Sequence, residues 1–158
     1  MNTPSIDPRR IAIIGFGEVG PTFARGFIAS GRHEVAAYDI LLDDHTAAAA
    51  MREKAQDAGV EIAASAAAAA AGARVVITAV TAASSRSVAV AAAEYLAPGQ
   101  IFLDLNSVAP ETKRGNAAAV ERAGADYVEA AVLAPLAPYG WKVPITLGGR
   151  AAAEAAAL

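Results

Sequence analysis

The chain has 158 residues, a formal net charge of -3 and no cysteine, which fits one domain with a substantial core. The mild acidity, with no basic run interleaved with aromatics, excludes an electrostatic nucleic-acid surface. The lack of cysteine excludes a disulfide framework and a thiolate metal site, and suits a reducing, cytoplasmic compartment. The polar residues 1–9, with Pro4 and Pro8, are expected to be a flexible segment rather than a signal peptide. The alanine-rich stretch "AASAAAAAAG" is too short and too weakly apolar to cross a bilayer, so no membrane partner is expected and the chain reads as soluble.

From residue 10 onward, short β-rich runs alternate with alanine-rich helical ones, the pattern of an α/β sheet with helices on both faces. The first strand is expected over 10–14 and the first helix over 18–30, with Pro21 tolerated in its first turn and Gly31 ending it. "EVAAYD" makes a second strand, a polar helix covers 43–58 up to Gly59, and "VEIA" is a short third strand. Ser65 caps an alanine helix ending at Gly72, "RVVITAV" is the fourth strand, and a helix over 84–96 stops before Pro98-Gly99. "QIFLDLNS" is the fifth strand. Ser107 can cap the next helix, which carries Pro110 in its first turn and runs to Gly124. "DYVEAAV" and "VPITLGG" are the last strands, separated by "LAPLAPYGWK", a loop too rich in proline for regular structure. A final helix opens near Arg150 and meets the chain end without a closing Gly, Asn or Pro, which suggests a helix cut short; a frayed end is the bland alternative.

The segment Arg10-Ile11-Ala12-Ile13-Ile14-Gly15-Phe16-Gly17-Glu18-Val19-Gly20 carries the most information. An apolar strand breaks into Gly-x-Gly-x-x-Gly, and the second strand closes on Asp39 about twenty residues later. Gly15 permits the tight turn, Gly17 lets the backbone approach a pyrophosphate, and Gly20 lets the helix pack close to the sheet. The helix N-terminus then aims free N–H groups and its positive dipole end at the phosphate. Asp39 can accept hydrogen bonds from both ribose hydroxyls of an adenosine. Strand, glycines, helix and distal acid in one βαβ unit point to dinucleotide binding and a Rossmann-type, doubly wound, mostly parallel sheet. A methyltransferase would place an acid before the glycine loop, where Ile14 stands, and a flavoprotein would more often end the second strand on Glu. Asp39 favours NAD because its carboxylate repels a 2′-phosphate; Asp43 and Asp44 deepen that field, while Arg52 could fold back and leaves NADP open.

Several motifs in this order resemble the cofactor-binding half of the β-hydroxyacid dehydrogenases, the superfamily of 3-hydroxyisobutyrate and 6-phosphogluconate dehydrogenases. "IAIIGFGEVG" is similar to the family's opening, and "ARVVITAVTAASSRSVA" resembles the strand and loop beside the cofactor. "DLNSVAPETKR" resembles the substrate-side Asp-x-Ser-Thr-x-x-Pro-x-Thr signature, "YVEAAVLAP" echoes a later substrate segment, and "ITLGG" matches the strand closing the domain. The resemblance covers nearly the whole chain after residue 10. It implies a dinucleotide-binding domain over 10–149, with 150–158 starting a helix toward an absent helical domain. It also implies cofactor contacts at Gly15, Phe16, Gly17, Glu18, Val19, Gly20, Asp39, Ala79, Val80 and Thr81, and substrate contacts at Asn106 and Ser107. For those last two the plain alternatives are a strand-end turn and a helix cap.

The departures bear on activity. Asn106 and Ser107 stand where the signature has Ser and Thr, and Leu133-Ala134-Pro135 replaces the later Ser-Gly-Gly. Tyr139 and Trp141 could form a variant substrate wall, or simply cover the sheet edge. The family's essential Lys follows the closing Gly-Gly strand, and no Lys follows Gly149 here. Lys54 and Lys113 sit in helical patterns and read as solvated surface charges, and His33 and His45 lack paired acids or ligand spacing, so no metal is expected. The resemblance thus implies hydride transfer between a nicotinamide cofactor and a small β-hydroxy acid, with little turnover by this chain alone. Homo-oligomers would form largely through the missing helical half. A non-catalytic nucleotide-binding or redox-sensing module and an imine- or carbonyl-reducing relative are the alternatives.

Overall fold

The middle strands are apolar on both faces because both faces are covered, the signature of a parallel sheet between two helical layers. Ile11 and Ile13 point into one buried cluster with Phe23, Phe27 and Met51, while Ala12 and Ile14 point into a second with Phe102, Val120 and Tyr127. The computed structural model describes residues 5–158. Its strands β1 (Asp7–Ile14), β2 (Glu34–Tyr38), β3 (Glu61–Ile62), β4 (Ala73–Thr78), β5 (Ile101–Asp104), β6 (Asp126–Val132) and β7 (Ile145–Gly148) form one sheet in the order β3-β2-β1-β4-β5-β6-β7. All neighbouring pairs are parallel except β6 and β7, which run antiparallel. The Rossmann-type fold expected from the sequence is therefore present. The strand order reverses between β1 and β4, which opens a crevice at their C-terminal ends.

The helices are α1 (Val19–Ala29), α2 (Ala48–Ala58), α3 (Ala66–Ala70), α4 (Ala82–Ala92), α5 (Pro110–Arg122), α6 (Leu136–Tyr139) and α7 (Ala152–Ala155). Nearly half of the apolar side chains buried among the described residues are alanine, so the helices lie close against the sheet. In α1 this closeness reaches its limit at Gly26. A Cβ there would overlap the indole of Trp141, which lies across the helix with its ring 6.0 Å from that of Phe27.

Several boundaries differ from expectation. β1 begins at Asp7, not residue 10, because the Asp7 N–H donates to the Gly72 carbonyl at 2.8 Å. The segment expected to be flexible over 1–9 therefore gives its last three residues to the sheet, and residues 1–4 lie outside the described part. The polar helix expected over 43–58 is split into a 3-10 turn, Ile40–Asp43, and α2. Asp39 captures the Leu41 N–H and Asp44 captures those of Thr46 and Ala47, local bonds that compete with a helix. β5 ends at Asp104, where the chain turns as the Asn106 N–H bonds back to the Asp104 carboxylate. Ser107 does not cap the next helix. Ala109 holds that position and Pro110 opens α5. Ser65 does cap α3, accepting from the Ala68 N–H at 3.1 Å. The proline-rich loop carries α6 and a 3-10 turn, Gly140–Lys142, that seats Trp141 on α1. None of the helices is long and apolar enough to cross a membrane among the described residues.

Candidate dinucleotide site

At the C-terminal edge of β1 the chain must turn sharply between its two neighbours. The Gly15 N–H bonds the Tyr38 carbonyl of β2 and the Ala79 N–H bonds the Ile14 carbonyl, both at 2.9 Å. Gly15 has φ +95°, and a Cβ there would overlap the Ala79 carbonyl and approach Val80 Cγ1 to 2.8 Å. Gly20 is equally enclosed, its would-be Cβ falling 2.5 Å from the Gly15 carbonyl oxygen. Gly17 is different. Nothing lies within 4 Å of the Cβ it lacks, and its backbone does not require glycine. Packing explains two of the three glycines, and the third leaves an open cradle in front of α1. Glu18 is the N-cap of that helix and makes no side-chain capping bond, so no capping side chain shields the first-turn amides.

Asp39 is brought directly to this loop. One carboxylate oxygen accepts from the Phe16 N–H at 2.6 Å and the other from the Leu41 N–H at 2.9 Å. Each oxygen keeps a lone pair for a further donor. Next to it, Tyr38 donates to Asp43 at 2.7 Å; that bond and burial push the phenol up to about 12. Lys54, read from the sequence as a solvated charge, is half-buried on α2 and donates to the Gly17 carbonyl at 3.1 Å. Its spacing from Met51, Ala55 and Ala58, all buried, was the available signal.

The other wall is the loop after β4. The Val80 N–H donates to the Asn106 side-chain oxygen at 2.7 Å, and Thr81 is the N-cap residue of α4 with its hydroxyl against Ser84. Asn106 is buried. Its amide nitrogen donates to Asp104 at 2.8 Å and to the Thr78 hydroxyl at 3.3 Å, so every polar atom of its side chain has an internal partner. Ser107 is exposed at the same edge. Trp141 covers α1 instead of forming a free wall, whereas Tyr139 is exposed.

Beneath this loop lies a buried polar cluster that the sequence reading missed. Asp104, fully buried, receives Asn106 on one oxygen, and Tyr127 at 2.7 Å and Asn116 at 3.2 Å on the other. Lys113, 6% exposed, donates to the Asp104 carbonyl at 2.9 Å and stands 3.3 Å from its carboxylate. The expectation of a solvated Lys113 is thus corrected. Asn116 also reaches Ser85 on α4 at 3.0 Å. Burial, then the bond to Asp104, raise the Tyr127 hydroxyl far above its usual range. The cluster ties β5, β6, α4 and α5 to the loop holding Val80. Lys113 and Asn116 lie three apart on one face of α5, and that spacing was visible in the sequence.

A family model described as the NAD-binding domain of 6-phosphogluconate dehydrogenase matches residues 10–134. The chain belongs to this family. NAD(P) is accordingly the cofactor class of this 6-phosphogluconate dehydrogenase-type domain. Among solved structures, a conserved hypothetical protein from Sinorhizobium meliloti 1021 is 40% identical with a TM-score of 0.89; the match covers 95% of this chain and 50% of that one. A conserved protein of unknown function, described as structurally similar to 3-hydroxyacid dehydrogenases, is 29% identical with a TM-score of 0.80, covering 94% and 53%. Mycobacterium tuberculosis 3-hydroxyisobutyrate dehydrogenase shares the fold, at 24% identity and a TM-score of 0.78 over 95% and 50%. The NAD-binding domain therefore spans about half the length of the structures it matches. No curated protein matches it significantly.

Proposed function

We propose that this domain binds NAD(H) in preference to NADP(H) and forms the cofactor half of an enzyme acting on a small β-hydroxy acid. The observation that carries the reading is Gly17, which is glycine for no packing reason and stands open beside the Phe16 amide that Asp39 engages. Gly17, Glu18 and Val19 offer their backbone to the pyrophosphate, with Gly15 and Gly20 shaping the turn and the Phe16 amide tying Asp39 to it. Asp39 takes the adenosine ribose, and its charge with those of Asp43 and Asp44 disfavours a 2′-phosphate. Ala79, Val80 and Thr81 line the path toward the nicotinamide. The bound cofactor supplies the hydride at C4 of its ring. Asn106, its amide engaged inside, positions the Val80 loop, and Ser107, exposed at the edge of β5, is the substrate contact.

The test is a fluorescence titration with NADH and NADPH on the parent and on Asp39→Ala. The parent is expected to bind NADH about tenfold more tightly, and the variant to lose that preference. A parent that binds neither nucleotide overturns the reading. Hydride exchange also needs a proton relay. Lys113 is engaged by Asp104, Lys54 by Gly17, and Lys142 lies in the turn before the closing strand, so this chain alone is expected to turn over β-hydroxy acids weakly at best. Robust NAD-linked turnover of a hydroxy-acid panel by the isolated chain would refute that.

A further inference from the structure

The glycine loop has a charged neighbour in Lys54 of α2. Lys54 leaves α2 beside positions buried against α1 and the sheet, and its ammonium donates to the Gly17 carbonyl, 3.1 Å away. An ammonium has three donors, and this bond uses one. Among the described residues Lys54 takes part in no ion pair, although the chain is acidic and Glu18, Asp39, Asp43 and Asp44 all belong to the loops at this end of the sheet. A cation fixed beside an open cradle, without an anionic partner of its own, is arranged for an anion that arrives from outside.

The electrostatics of the loop call for such a group. Glu18 caps α1 with no side-chain bond to the amides, so its carboxylate adds negative charge where the helix N-terminus would otherwise favour a phosphate. First-turn residues of α1 contribute no basic side chain. Backbone amides alone would have to hold a doubly charged pyrophosphate against Glu18 and Asp39. Lys54, donating to the Gly17 carbonyl, brings a positive charge to the same loop.

We propose that the Lys54 ammonium binds a phosphate group of the dinucleotide, as the side-chain anion contact of the glycine loop. The proposal rests on the dinucleotide reading of the site. The shared chemistry is a phosphate oxygen accepting from the ammonium while Gly17 keeps its own bond to it. Two sources exist on the ligand, the pyrophosphate common to NADH and NADPH and the 2′-phosphate of NADPH alone.

The experiment is calorimetric titration of the parent, Lys54→Met and Lys54→Arg with NADH, NADPH, ADP and adenosine at two salt concentrations. Thermal unfolding of each variant runs alongside. With the pyrophosphate as partner, Lys54→Met weakens NADH, NADPH and ADP by a common factor of about ten or more and leaves adenosine unchanged. With the 2′-phosphate as partner, only NADPH weakens. Either result supports the proposal, as does recovery of most of the affinity in Lys54→Arg and a shallower salt dependence in Lys54→Met. The proposal is overturned if the parent binds NADH and Lys54→Met binds every ligand as the parent does. It is also overturned if adenosine weakens as much as ADP, because Lys54 then only supports the loop. A parent that binds none of the nucleotides removes the dinucleotide reading itself, a result distinct from both.

Discussion

Gly15→Ala and Gly17→Ala, one methyl each in the same loop, will part completely: the first strongly destabilises the domain and the second disarms it. At Gly15 the backbone sits at φ +95°, a conformation that costs an L-residue about 1–2 kcal/mol. The methyl would also overlap the Ala79 carbonyl, whose strand is pinned by the Ala79 N–H bond to Ile14. Backbone on both sides cannot move aside as a flexible side chain would. A total of about 3–5 kcal/mol is expected, a large share of a domain's stability. At Gly17 the methyl meets nothing within 4 Å, and the backbone is one any residue adopts. Stability should therefore hold within about 0.5 kcal/mol, while the methyl fills the space a pyrophosphate needs and NADH affinity falls about a hundredfold or more. Denaturant unfolding and NADH titration on both variants separate the two effects. A Gly17→Ala protein that binds NADH normally would mean the open cradle is not where phosphate sits.

Lys113→Met is expected to cost about 3–5 kcal/mol, because it strands a fully buried carboxylate. Asp104 would keep Tyr127, Asn116 and Asn106 as donors but lose the one cation paired with it among the described residues. The Asp104 carbonyl at the end of β5 would lose its donor as well. Adding Asp104→Asn should recover part of the loss, since an amide needs no counter-charge, giving a coupling of about 1–3 kcal/mol in a double-variant cycle. Urea denaturation of the four proteins measures this. Strict additivity would show that the pair contributes no mutual stabilisation. Where the single variant still folds, NADH binding should weaken too, since Asp104 holds Asn106 and Asn106 holds the Val80 amide.

How far the sequence could foretell this depends on whether the governing interactions are local. β6 appears over the stretch expected, and the Ser65 cap forms, because alternation and capping act within a few residues. The approach of Asp39 to the glycine loop follows from the βαβ unit, whose geometry is set by handedness and strand pairing. What escaped was decided across the fold. Lys113 reads as polar helix surface until Asp104 arrives from another strand, and Lys54 reads as solvated until the Gly17 carbonyl lies beside it. For Asn106 the sequence left a ligand contact and a strand-end turn both open, and only the fold shows its amide bonded between the ends of two strands. The early stop of α2 toward its N-terminus came from carboxylates capturing backbone amides, a contest that periodicity does not weigh.

The abundance of alanine in the core reaches beyond packing, to how the domain responds to temperature. Unfolding exposes far less apolar surface from an alanine than from a leucine, and the heat capacity of unfolding follows that surface. The domain should therefore fall below the usual ~12–15 cal/mol/K per residue. Its free-energy dome is correspondingly broad and shallow, changing little between cold and warm conditions and placing cold denaturation far below freezing.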